Sequence, residues 1–207
     1  IKLKNAAKQL RIEKQEAELN FLKSQTNPHF LFNTLNNIYS LSLDNSPKTP
    51  VAIGKLSDIL DHVLYKCNNQ LVSLASEIEL LKNYIELEKL RYDERLEITF
   101  DTQIENDIQI PPLLLLSLVE NAFKHGVSET RNKPFLDISL TVKQHQLLFI
   151  VKNSIEETAT VQEVKENIGL SNLRKQLALL YKDYDLTIGQ ESAVFTSTLK
   201  INLASNV

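Results

Sequence analysis

Apolar positions at the start of the chain recur in steps of four and three. Leu3, Ala7, Leu10, Lys14, Ala17 and Phe21 form a heptad seam with one lysine intruding. Residues 1–26 contain no glycine or proline. The pattern therefore predicts a continuous helix that pairs with a copy of itself and runs on past Pro28. Beyond that proline, Phe32, Leu35 and Leu43 repeat at helical spacing and would face a partner helix. Pro28 removes a backbone donor and predicts a bend or loosening just before His29. The rhythm breaks at Asp44-Asn45-Ser46-Pro47-Lys48-Thr49-Pro50, a turn-rich stretch with two prolines. A second stripe, Ile53, Leu56, Ile59, Leu60, Val63 and Leu64, predicts a second helix. Two helices joined by a short turn make an antiparallel hairpin, and a single hairpin cannot bury its apolar stripes alone. The pattern asks for a dimer in which two hairpins form a four-helix bundle.

The coiled-coil character ends near Asn68–Leu74, which sets the expected domain boundary: 1–70 for the paired helices and 71–207 for a second, mixed domain. Ser73 or Ser76 can cap a third helix, with Glu77 and Glu79 in its first turns, running to about Glu94. Leu96-Glu97-Ile98-Thr99-Phe100 alternates with period two and reads as a strand. Pro111-Pro112 ends the next extended stretch and is expected to open a helix from Leu113 to Gly126. Phe135–Val142 and Leu147–Val151 read as strands joined at Gln144-His145-Gln146, where His145 is expected to be merely solvated. A polar stretch over 154–166, an amphipathic helix, and strands near Asp185–Ile188 and Val194–Leu203 complete the chain. Helices interleaved with hairpins predict an α+β layer, with helices on one face of a largely antiparallel sheet.

Composition narrows the function classes. A net charge of −3 gives no general attraction to nucleic acid. The single cysteine, Cys67, excludes an internal disulfide and suits a reducing compartment. No methionine occurs, even at position 1, which suggests a piece of a longer protein, and no apolar run is long enough to span a membrane. Residues 1–24 carry six basic and three acidic side chains. That basic start fits the cytoplasmic side of a transmembrane segment, and equally a solvated helix face. No zinc-spaced cluster, Gly-x-Ser-x-Gly elbow or Walker-type loop is present.

The candidate chemistry lies in two stretches. In the first, Asn27-Pro28-His29-Phe30-Leu31-Phe32-Asn33-Thr34-Leu35-Asn36, His29 and Asn33 are four residues apart and share one helix face. A neutral imidazole is nucleophilic near pH 7, so an exposed His29 could accept a phosphoryl group, with Asn33 a candidate to orient the ring. The plain alternative is a polar residue on a bundle surface. In the second, Leu113 through Val119 is almost wholly apolar apart from Ser117, and polar residues then cluster at Glu120, Asn121, Lys124 and His125. An amide oxygen at Asn121 can ligate Mg²⁺, a hard cation, while Lys124 and His125 can face phosphate oxygens. The plain alternative is a helix C-terminus in which Lys and His favour the dipole and Gly126 supplies the cap. Both can hold at once. Gly169, opening the last helix, is a plausible phosphate cradle, because free N–H groups and the dipole attract anions.

NPHFLFNTLN resembles the phosphoacceptor box of the LytS/YehU-type sensor histidine kinases, and LVENAFKHG resembles the N-box of the same family, whose ATPase domain has the Bergerat fold. NIGLSNLRKQLALLY, with Gly169 and Leu170 near its start, resembles the family's G-box and following helix. The resemblance implies a sensor histidine kinase of a two-component system. His29 would be autophosphorylated from Mg-ATP and the phosphoryl group passed to an aspartate on a response-regulator receiver domain, with a LytTR-type regulator one possibility. It implies that Asn121 holds Mg²⁺ against the triphosphate, that Lys124 and His125 approach the phosphates, that Asn153 recognises the adenine amino group, and that residues 154–166 form the lid over ATP. It implies a homodimer without direct nucleic-acid contact, the cytoplasmic part of a membrane-anchored protein. Some positions depart from the family's pattern. Ser117 stands where relatives carry proline, Asp61-His62 where they carry Arg-Tyr, no carboxylate follows His29, and the extra glycines near Asn153 and Gly169 are absent. The rival reading is a dimeric scaffold that keeps the fold without the kinase activity, or a relative biased toward phosphatase action on its regulator.

Overall fold

The computed structural model describes residues 28–92, 95–127, 133–156 and 168–206, so the expected heptad seam of residues 1–26 and most of the expected lid lie outside them. Helices α1 (Pro28–Leu43) and α2 (Thr49–Tyr65) form the hairpin. Asn45 turns the corner with φ 49°, a left-handed conformation that Asn tolerates. Pro50 stands in the first turn of α2, where its missing N–H costs no hydrogen bond. Ala52, Leu56, Ile59 and His62 form the buried face of α2. Phe32, Leu35, Tyr39 and Leu43 remain exposed on α1, at 67%, 47%, 65% and 64%.

A 3₁₀ turn at Lys66–Asn68 leads to β1 (Val72–Ser73) and α3 (Leu74–Lys89). The Ser73 side chain caps α3, its oxygen accepting from the Ser76 N–H at 3.2 Å. The helix stops at Lys89, five residues short of the expected Glu94, after which the Arg91 and Tyr92 amides donate back to Glu88 and Lys89 carbonyls. Next come β2 (Glu97–Ile104), β3 (Gln109–Ile110), which pairs with β1, and α4 (Leu116–Ala122). A π-helical turn (Phe123–Val127) continues α4, followed by β4 (Phe135–Lys143), β5 (Gln146–Ser154), α5 (Ile168–Leu180), β6 (Tyr184–Glu191) and β7 (Val194–Asn202).

The main sheet runs β2-β4-β5-β7-β6, antiparallel except for the parallel β2–β4 pair. The parallel pair was not expected from the sequence, because strand direction is set by the α4 crossover and leaves no mark on period-two patterning. The β4–β5 turn at Gln144 and His145, with φ 47° and 65°, has the primed geometry of a two-residue hairpin. Register places the buried side chains in rows: Leu140 opposes Phe149, Phe149 opposes Leu199, and Leu199 opposes Leu186. Leu170, Leu173 and Leu177 form the inward stripe of α5, at i, i+3 and i+7, and the buried Tyr181 follows its last turn. The α+β architecture inferred from the sequence is the one observed.

Because burial is one-sided, Phe149→Ala should cost about 3–5 kcal/mol in denaturant unfolding. Ile150→Ala, one residue along on the other face, should cost less than half as much. Equal losses would contradict a single-faced core.

Candidate functional site

The path into α4 is where the chain departs most from its sequence pattern. The helix expected from Leu113 begins only at Leu116. Leu113 instead takes φ 63°, a conformation disfavoured for a bulky side chain. Its N–H is held there, donating to Glu77 Oε1 at 3.1 Å. From Leu114 to Val119 every residue but Ser117 is buried, which pins α4 in the core.

Asn121 ends this apolar run and is itself buried, at 7% exposure. Lys124 is exposed in the π-helical turn, so the amide of Asn121 sits in the core while Lys124 reaches the surface. Such bulges recur at functional sites because they redirect side chains out of helical register. The His125 side chain lies outside the described residues. Gly126 does not cap the helix in a left-handed conformation, as no glycine has positive φ among the described residues. It is required by close approach: a Cβ there would stand 1.8 Å from Asn153 Nδ2 and 2.8 Å from the Ser154 carbonyl oxygen.

That contact brings the second half of the site into place. Along β5, Leu147, Phe149, Val151 and Asn153 share the core face, the last of them polar and only 1% exposed. Asn153 Nδ2 donates to the Ser154 carbonyl at 3.0 Å, while Oδ1 is buried with no partner among the described residues. A buried acceptor left in this state is costly unless a donor arrives. The Ser154 hydroxyl oxygen accepts from the Phe135 N–H at 3.1 Å and fixes this strand end. Helix α5 packs against α4 with Gly169 exposed in its first turn and Leu170 buried beneath. Asn121 and Lys124 lie on α4 and its π-helical continuation, Asn153 on β5, and Gly169 and Leu170 on α5, and α4 packs against both β5 and α5.

His29 stands in the first turn of α1, with its side chain outside the described residues, and Asn33 is half-buried one turn on. Their helix reaches the other stretch through aromatic rings. Phe30 packs on Tyr84 of α3 at 4.6 Å, and Tyr84 meets Phe123, two residues beyond Asn121, edge-on at 5.9 Å. Burial first, then the nearby Glu88 and Glu120 carboxylates, holds the Tyr84 hydroxyl well above its ordinary pKa. Glu120 is likewise pushed up, to about 7, by burial and then by Glu88, with Lys124 opposing.

Sequence reading missed Glu77, Glu88 and Leu113. The signal available was in α3, where Glu77, Leu81, Tyr84 and Glu88 fall at i, i+4, i+7 and i+11, acids inside an apolar stripe. Glu88 is anchored by Arg91 Nη1 at 2.7 Å. His62, a departure from the family's pattern, is buried and bonded to Glu77, an arrangement that does not suit a phosphoacceptor. Among the described residues no cluster of His, Cys, Asp and Glu could cage a metal. The donor set still fits Mg²⁺ held mainly by phosphate oxygens, which needs only one or two protein ligands.

A family model described as histidine kinase matches residues 17–96. Sensor histidine kinase YpdA of Escherichia coli (strain K12) is 32% identical over 84% of this chain and 32% of its own length. Sensor protein LytS of Enterococcus faecalis is 29% identical over 81% of this chain and 30% of its own. The chain therefore spans about a third of the length of both relatives. The histidine kinase domain of the blue-light activated kinase from Erythrobacter litoralis shares the fold, with a TM-score of 0.53 at 13% identity over 93% of this chain and 96% of that domain.

The site's geometry sets two expected outcomes. Gly126→Ala should lower stability by about 1–3 kcal/mol in denaturant unfolding, since buried Asn153 has to move. The raised Glu120 pKa means the folded state keeps a proton that the unfolded chain releases above about 4.5. Stability should therefore fall by on the order of 2–3 kcal/mol as pH rises from about 4.5 to 7. Glu120→Gln should flatten that slope in melting curves of the nucleotide-free protein.

Proposed function

The chain belongs to the LytS-type sensor histidine kinases, and from that premise we propose that it is the phosphoacceptor and ATP-binding core of a two-component sensor. Residues 1–70 dimerise and carry His29, and residues 71–207 bind Mg-ATP. The observation that carries the reading is the buried, unpartnered Asn153 Oδ1 beside the Gly126 contact. An acceptor so placed suits the exocyclic amino group of adenine, and the missing side chain at Gly126 leaves the room for Asn153 to hold its orientation.

The other residues divide the remaining work. Asn121 offers an amide oxygen to Mg²⁺, and Lys124 and His125 offset charge on the phosphates. The α5 start at Gly169 and Leu170 presents backbone N–H groups to them. Bound there, Mg-ATP supplies the γ-phosphoryl group: its bond to the bridging oxygen breaks, ADP departs, and a P–N bond forms with a ring nitrogen of His29. Asn33 orients the imidazole from the next turn of α1. Positioning and charge neutralisation carry most of such a transfer. The phosphoryl group then passes to an aspartate of a response-regulator receiver domain. The exposed stripe of Phe32, Leu35, Tyr39 and Leu43 is the face for the second copy. No helix of the described residues is long and apolar enough to cross a membrane; the relatives' greater length leaves room for a membrane anchor elsewhere, which would put this core on the cytoplasmic side.

Asn121→Asp should reduce autophosphorylation by about 10²-fold or more, and Asn153→Ala should raise the KM for ATP about tenfold with a smaller change in kcat. Unchanged kinetics in Asn121→Asp would remove the Mg²⁺ assignment. ATP binding without phosphorylation in the unaltered chain would favour a signalling scaffold.

A further inference from the structure

One polar chain joins the helical hairpin to the segment that launches α4, and the proposed transfer does not use it. His62 Nε2, on α2, lies 3.0 Å from Glu77 Oε1 on α3. The same oxygen accepts the Leu113 N–H at 3.1 Å, so the imidazole nitrogen is the donor. On the other side of the ring, Nδ1 lies 3.4 Å from the Ser76 hydroxyl, which accepts from Lys66 Nζ at 3.2 Å. Both central side chains are buried, His62 at 3% and Glu77 at 0%. Glu77 Oε2 has no partner among the described residues. A carboxylate with both donors on one oxygen and none on the other is a poor arrangement for stability alone, where apolar packing would do as well. It does fix three elements to one atom: the hairpin through His62, α3 through Glu77 itself, and the left-handed Leu113 that sets where α4 and Asn121 begin.

We propose that His62 is a positioning residue, which through Glu77 clamps the phosphoacceptor hairpin to the Leu113 backbone so that the helix carrying His29 and the helix carrying Asn121 are held in one register. The proposal rests on the kinase reading above and assigns this chain's departure at position 62 a role in the transfer. Two turns further along α3, the Phe30–Tyr84–Phe123 ring contacts make a second link between the same two parts. The Lys55–Glu86 ion pair also ties the hairpin to α3, and His62 supplies the polar link that continues through Glu77 to Leu113. Removing the imidazole leaves Glu77 still holding Leu113, so only the hairpin's link to that oxygen is lost. Removing Glu77 loses both links.

The test compares His62→Phe, His62→Gln and Glu77→Ala, using Mg-ATP turnover onto His29 and equilibrium binding of ATP. The Gln amide can place a donor where Nε2 stands, whereas Phe keeps the ring and loses the donor. His62→Phe should lower autophosphorylation at saturating ATP by about tenfold or more with ATP affinity within about twofold, and His62→Gln should recover most of the rate. Glu77→Ala should lose both rate and affinity. A His62→Phe variant that phosphorylates normally, or one whose affinity falls in step with its rate, overturns the clamp, as does a His62→Gln variant no better than Phe. If the unaltered chain takes no label, the kinase reading fails separately. Amide exchange in the nucleotide-free protein then decides the clamp. Faster exchange across Thr49–Tyr65 in His62→Phe, with Leu113 still protected, supports it, and exchange equal to that of the unaltered chain overturns it.

Discussion

The inward face of α3 buries carboxylates among leucines and a tyrosine, and a buried carboxylate needs donors. Those donors come from different parts of the chain: an imidazole on the hairpin and a backbone amide ahead of α4 for Glu77, and an arginine one turn on for Glu88. The need to satisfy these acids ties the hairpin, α3 and the start of α4 together. It also accounts for Leu113, whose left-handed backbone would otherwise be an unexplained strain in a run of leucines. Tyr84, on the same face, completes the junction by packing between Phe30 and Phe123.

A second constraint acts where α4 ends. The π-helical turn and the missing side chain at Gly126 let the chain come within contact of Asn153. The sheet register puts Asn153 on the core face at the end of β5, opposite Leu136 and Phe195. An amide in such a place keeps one buried acceptor open, a state that binding an adenine donor would relieve. The two constraints meet in α4, whose start is set by Glu77 and whose continuation is set by Asn153.

Much of this was legible in the chain. The hairpin, a serine cap on α3 at Ser73 or Ser76, the β4–β5 turn and the α+β layering follow from periodicity and turn chemistry, which are local. Asn121, Lys124, Asn153 and Gly169 were singled out as candidates through local strings and resemblance, and they lie on α4 with its π-helical turn and on the two elements packed against it. What was not legible depends on contacts between distant segments. Glu77 read as an ordinary first-turn acid until His62 and Leu113 closed on it from 15 and 36 residues away. Gly126 read as a helix cap because nothing near it in sequence announces Asn153. The parallel β2–β4 pairing and the late start of α4 have the same origin, since crossover geometry and a captured amide overrode propensity.

The measurement that tests the central claim most directly is transfer of label from γ-labelled Mg-ATP to this chain, with the bond's acid stability recorded and His29→Gln run beside it. Acid-labile label on the unaltered chain, lost in His29→Gln, is the predicted result. Label that survives acid, or that persists without His29, would contradict it.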